Sequence, residues 1–156
     1  MKTLHASIDI DATPQRVWDI LTDFDAYPTW NPFVTRIAGT PQVGARLDVR
    51  LEPPGGMSIT MHPTLLEVVP ASSLRWLGHP LVPGVFDGAH HFLLEPLEDN
   101  RTRFIQQERF TGLLVSVFAS SLDKHTLAGF HAMNAALKAR AEVNSMVAPP
   151  AVQMAV

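Results

Sequence analysis

LVSVFASSLDKHTLAGFHAMNAALKARAEVN, residues 114–144, decides the fold. At about 100° per residue, Leu114, Phe118, Leu122, Gly129, Met133, Ala136 and Leu137 gather on one side of a helix. Lys124, His131, Asn134, Lys138 and Glu142 gather on the other. The pattern predicts one long amphipathic helix from Leu114 to Asn144. Gly129 weakens it slightly and allows a bend. No earlier stretch combines this length with a helical period. This helix is therefore the element that must cover whatever apolar face the rest of the chain presents.

Upstream of it, from Phe33 onward, the signals are β. Val34–Ala38, Arg46–Leu51, Met57–Val69, Leu74–Gly78, Val85–Leu97 and Arg103–Thr111 each read as strands. The breaks between them carry turn chemistry, such as Gly39-Thr40-Pro41, Pro53-Pro54-Gly55-Gly56 and Glu98-Asp99-Asn100. Short connections in series predict an antiparallel meander. Pro63 introduces a bulge that leaves the parity of Met57–Val69 open. At the start of the chain, Leu4, Ala6, Ile8 and Ile10 alternate with His5, Ser7, Asp9 and Asp11, which predicts a half-buried strand. Thr13 and Pro14 then open a short helix with a Val17, Trp18, Ile20, Leu21 stripe, and a second short turn runs into Pro28 and Pro32. The expected class is α+β. A curved antiparallel sheet of about seven strands wraps the C-terminal helix, two short helices come after strand 1, and a cavity lies between sheet and helix. Residues 1–146 are expected to form one domain and 147–156 a loose tail.

The chain has 156 residues, 46% of them hydrophobic, enough to bury a sizeable core without covalent staples. It has no cysteine, which excludes disulfides, thiolate nucleophiles and cysteine-based zinc sites. The formal charge is −3 and no Lys or Arg cluster marks a nucleic-acid or anionic-lipid footprint. MKTLHASIDID lacks the apolar segment of a secretory signal. The longest apolar stretch, Leu113–Leu122, is interrupted by serines and too short for a bilayer span. These features predict a soluble cytoplasmic protein, monomer or homodimer, with no membrane insertion.

Three segments resemble a known superfamily. The first is Val17-Trp18-Asp19-Ile20-Leu21-Thr22-Asp23-Phe24 with Tyr27-Pro28-Thr29-Trp30-Asn31-Pro32-Phe33. The second is Leu74-Arg75-Trp76-Leu77-Gly78 with Gly84-Val85-Phe86-Asp87-Gly88-Ala89-His90-His91-Phe92. The third is Thr102-Arg103-Phe104 with Glu108-Arg109-Phe110-Thr111-Gly112. Together they resemble the START/Bet v 1-like (SRPBCC) superfamily and, within it, the polyketide cyclase/dehydrase-like branch, over roughly residues 3–145. The resemblance implies a helix-grip fold with a lipid- or polyketide-sized cavity. Members range from carriers through hormone receptors to cyclases and dehydratases. The Trp18 and Trp30 region belongs to the scaffold and does not choose among those activities.

Strand parity selects the residues that could carry chemistry. Phe86, His90, Phe92 and Leu94 share a face, which points His90 at the helix; His91 has the opposite parity. A histidine there suits a ligand carbonyl or general acid/base work; the plainer alternative is a satisfied structural histidine. Thr102, Phe104, Gln106, Glu108 and Phe110 also share a face. A carboxylate on it is desolvated, one way to make a base; the alternative is that Glu108 pairs with a nearby Arg. Gln106 adds a hydrogen-bonding group under the same parity. His125 flanks the inward helix stripe and reads as a rim residue. Phe33, Ile59, Met61, Trp76, Phe92 and Phe110 on the sheet, with Phe118, Leu122, Phe130 and Met133 on the helix, are the expected lining or core. No HxH or HExxH spacing predicts a metal, no phosphate-cradling glycine loop opens a helix, and no cofactor is expected. The leading reading is binding of a small hydrophobic ligand. A cofactor-independent cyclase or dehydratase using His90 and Glu108 is the first alternative, and a partner-binding domain is the second.

Overall fold

The computed structural model describes residues 1–143. Strand β1 (Lys2–Ile10) leads into α1 (Pro14–Thr22). Arg16 N donates to the Thr13 hydroxyl oxygen at 3.2 Å and Pro14 takes the first turn, so the expected start signal operates as a cap. Val17, Trp18, Ile20 and Leu21 are buried. In the next stretch, a 3-10 helix over Phe24–Thr29, the Tyr27 hydroxyl donates to the Leu21 carbonyl at 2.6 Å. Asn31 Oδ1 accepts from Phe33 N and Val34 N, and this turn launches β2 (Val34–Ala38).

Six more strands complete the β structure: β3 (Asp48–Leu51), β4 (Ile59–Met61), β5 (Thr64–Val69), β6 (Ser73–Gly78), β7 (Asp87–Pro96) and β8 (Thr102–Thr111). They form a five-stranded sheet, β1-β8-β7-β6-β5, and a three-stranded sheet, β2-β3-β4, with antiparallel neighbours throughout. The single strand expected over Met57–Val69 is two, because Pro63 has no N–H to give the ladder. Parity nevertheless holds from Met61 to Leu65, both buried, and shifts only at a bulge between Leu65 and Glu67. The segment before β3 joins the two sheets. Arg46 bridges Thr64, Leu47 N donates to the Pro63 carbonyl at 2.8 Å, and Gly44 N donates to the Leu65 carbonyl at 2.8 Å.

The C-terminal helix runs continuously through α2 (Val115–Ser121), a π turn (Leu122–Thr126) and α3 (Leu127–Glu142). The π turn accommodates an extra residue and so rotates α3 relative to a uniform helical projection. Asn134 is the residue misplaced by that projection. The uniform period puts it on the outer face with Lys138 and Glu142, but it is buried on the inner face with Phe130, Met133, Leu137 and Ala141. Gly129 answers a packing need: a Cβ there would lie 2.3 Å from Cδ2 of Phe33. The far end of α3 is tied to the β1–α1 corner. Lys138 Nζ donates to the Asp9 carbonyl at 2.8 Å, and Glu142 Oε1 accepts from Lys138 Nζ and Asp11 N. The expected helix end at Asn144 and the expected tail, 147–156, lie outside the described residues. Among the described residues, no helix is long and apolar enough to cross a membrane.

Candidate functional site: a cavity closed by Glu108

Two glycines hollow out one end of the grip. Gly78 on β6 and Gly88 on β7 are register partners, so two side chains are missing side by side. A Cβ on Gly88 would sit 2.7 Å from Glu108 Oε1, and one on Gly78 would sit 3.1 Å from Met61 Sδ. Glycine inside a strand commonly marks such close approach. These four residues line a cavity of about 410 Å³, within the usual range for small-molecule sites. The sheet side contributes Phe33, Ile59, Met61, Glu108 and Phe110 to its wall, and the helix contributes Phe118 and Leu122.

Trp76, His90, Phe92, Gln106, Phe130 and Met133 point inward but do not line this cavity. They are buried behind it, where α3 lies on the sheet and the space is filled. The His90 ring stacks on Phe92 at a centroid distance of 4.2 Å, with Phe130 at 5.0 Å and Trp76 at 5.4 Å. The placement of His90 in the cavity wall is therefore corrected: parity sets the direction of a side chain, and the helix decides whether a void remains there. His91 is on the outer face, half-buried, with Nε2 3.4 Å from Glu67 Oε1; burial pulls its pKa down.

His90 still belongs to the site, through Glu108. Its Nδ1 lies 3.3 Å from Glu108 Oε2, and its Nε2 lies 3.1 Å from Gln106 Oε1. Gln106 Nε2 donates to the Phe130 carbonyl at 3.2 Å and to Asn134 Oδ1 at 2.7 Å. Four buried polar side chains thus run from the cavity wall to the helix core. Among the described residues, the ion-pair partner of Glu108 is the imidazole and not an Arg. Among the described lining residues, only Glu108 and His125 are ionisable. Among the described residues, no three His, Asp or Glu side chains converge as metal ligands.

The mouth is framed by two loops and the π turn. Pro53, Gly56 and Met57 come from the β3–β4 loop, and Pro80, Leu81 and Phe86 from the β6–β7 loop. Parity marks Phe86 as inward and leaves Met57 open; Pro53, Gly56, Pro80 and Leu81 lie in turns, where parity gives no direction. His125 Nδ1 donates to the Pro54 carbonyl at 2.9 Å, pinning the first loop to the helix. The approach is close, since a Cβ on Gly56 would lie 3.1 Å from His125 Cβ. The second loop is held by Asp87. Its carboxylate accepts from Gly84 N at 2.9 Å and lies 2.6 Å from His79 Nδ1. The His79 contact, helped by the Gly84 amide, holds the Asp87 carboxyl below its ordinary range.

The family model described as polyketide cyclase / dehydrase and lipid transport matches residues 1–142. The chain belongs to the polyketide cyclase/dehydrase and lipid-transport family. No curated protein matches it in sequence. Solved structures match it in fold. An aromatase/cyclase from Streptomyces sp. R1128 superposes with a TM-score of 0.75 at 15% identity, over 92% of this chain and 95% of that one. A hypothetical protein from Helicobacter pylori gives 0.73 at 18%, over 90% and 88%. A norcoclaurine synthase point mutant from Thalictrum gives 0.70 at 13%, over 90% and 93%. Within this polyketide cyclase/dehydrase and lipid-transport domain, the signals that could have located the cavity were Gly78 and Gly88, paired at the facing ends of β6 and β7, and apolar Leu81 in a turn sequence.

Proposed function

We propose that the domain binds a small hydrophobic molecule in the cavity, with its polar end against Glu108. The observation that carries this reading is an apolar hollow with a single carboxyl group set into its inner wall. Such a wall gains little from a polar ligand and much from an apolar one, at about 25 cal/mol per Å² of apolar surface removed from water. The cyclase or dehydratase alternative keeps a narrower form. Glu108 is the one group of the pair that a substrate can touch, and His90 acts on it from behind. An aromatase/cyclase of the same fold is consistent with that form but does not carry it. The partner-binding alternative is weakened, because it expects a filled interior.

Titration with the neutral dye Nile red tests the proposal. Saturable binding, lost in Leu122→Trp while thermal unfolding stays cooperative, is the expected result. Dye binding that ignores the Leu122 plug, or no binding at all, would overturn it.

A further inference from the structure

The atoms around His90 fix where its protons are. The Phe130 carbonyl can only accept, so the Gln106 group facing it at 3.2 Å is the amide NH₂. The same nitrogen reaches Asn134 Oδ1 at 2.7 Å. The remaining Gln106 atom, Oε1, only accepts, and it lies 3.1 Å from His90 Nε2. His90 Nε2 must therefore carry hydrogen. The other ring nitrogen, Nδ1, faces Glu108 Oε2 at 3.3 Å. With a neutral ring and an ionised Glu108, two lone pairs would face each other in a site where His90 is 3% and Glu108 6% exposed. One proton held between them relieves this, as carboxylic acid beside imidazole or as carboxylate beside imidazolium. Either way the unit is neutral as a whole.

We propose that Gln106 is a positioning residue that fixes the Nε2 proton, makes Glu108 and His90 a net-neutral unit holding one proton, and thereby selects neutral ligands whose buried end is a hydroxyl group. The proposal rests on the cavity being a ligand site. Glu108 Oε1 stands beside Gly88, and both residues line the cavity. With its proton held between Oε2 and Nδ1, the unit leaves Oε1 free to accept from a ligand hydroxyl. A ligand carboxylate at Glu108 would find no Lys or Arg to balance it among the described lining residues, and His125 lies at the mouth. A ligand ammonium would bring a positive charge that the neutral unit does not balance. Burying an unbalanced charge costs far more than burying a hydroxyl that has a partner.

Naphthalene, 2-naphthol, 2-naphthoate and 2-naphthylmethylammonium share one apolar body and differ at one end. Competition of each against Nile red on the full chain at neutral pH should rank 2-naphthol first, by about tenfold over naphthalene and by more over the two ions. Gln106→Leu should erase the 2-naphthol advantage over naphthalene. Long-range ¹H–¹⁵N NMR of the unaltered chain, with His90 assigned by its absence in His90→Gln, should show Nε2 protonated; this measurement needs no Gln106 variant to fold. A lone-pair Nε2 would overturn the proton placement. Naphthoate or the ammonium binding as tightly as 2-naphthol would overturn the ligand class and leave the ligand site standing. Failure of every probe and of Nile red would overturn both.

Discussion

Glu108 and His90 differ in what they can reach. Glu108 lines the cavity, whereas His90 is stacked on Phe92 with Phe130 tilted against it. His90→Phe should suit the aromatic surroundings and still destabilise by roughly 1–3 kcal/mol in urea unfolding, because it strands Gln106 Oε1 and Glu108 without partners. Gly88→Ala should weaken Nile red binding, since the added methyl takes the place of Glu108 Oε1. Calorimetry on the folded variant reads that effect. The inward direction of His90, Gln106 and Glu108 is legible in the sequence because β7 and β8 alternate regularly and large apolar residues mark one face. The depth of each residue is not. It depends on where α3 rests along the sheet, and no local pattern encodes that.

At the scale of elements, the π turn separates what the sequence shows from what it hides. The long helix is legible, and so is its inward stripe up to Leu122. Beyond that point a uniform projection misplaces Asn134, which the polar relay uses. The π turn also carries His125, whose bond to the Pro54 carbonyl holds the β3–β4 loop. His125→Ala should release ligand several-fold faster in stopped-flow displacement, with less than about 1 kcal/mol change in stability, as expected for one exposed hydrogen bond. The β6–β7 loop depends on Asp87 in the same way. Asp87→Asn should remove the charge that holds His79 and Gly84, and hydrogen exchange over residues 80–86 should accelerate at neutral pH.

For the whole molecule, the period switch after Thr111 makes the order of strands and final helix readable. The junction of the two sheets is not, because it rests on backbone bonds from residues 44–47 that lie before β3 proper. Acid stability depends on the carboxyl groups that the native fold holds ionised. The carboxyls of Glu142 (hydrogen bond from Lys138), Glu67 (hydrogen bond from Ser73) and Asp87 (contact with His79) all sit below their ordinary values of 4.5, 4.5 and 3.8. A lowered carboxyl stabilises the fold above its ordinary value, and that contribution is lost as pH falls through the lowered one. These groups should therefore add nothing to the pH dependence of Tm between pH 5 and 7, and the melting temperature should drop below about pH 4 in a calorimetric series. Gly129 bears on the whole molecule in a different way. Its bare backbone lets the Phe33 ring rest on the helix, while Phe33 itself forms part of the cavity wall. A single methyl at 129 would press the ring into the hollow like a set screw turned from outside. On the proposed binding function, the size of ligand the cavity takes is then set in part from residue 129, which does not line it.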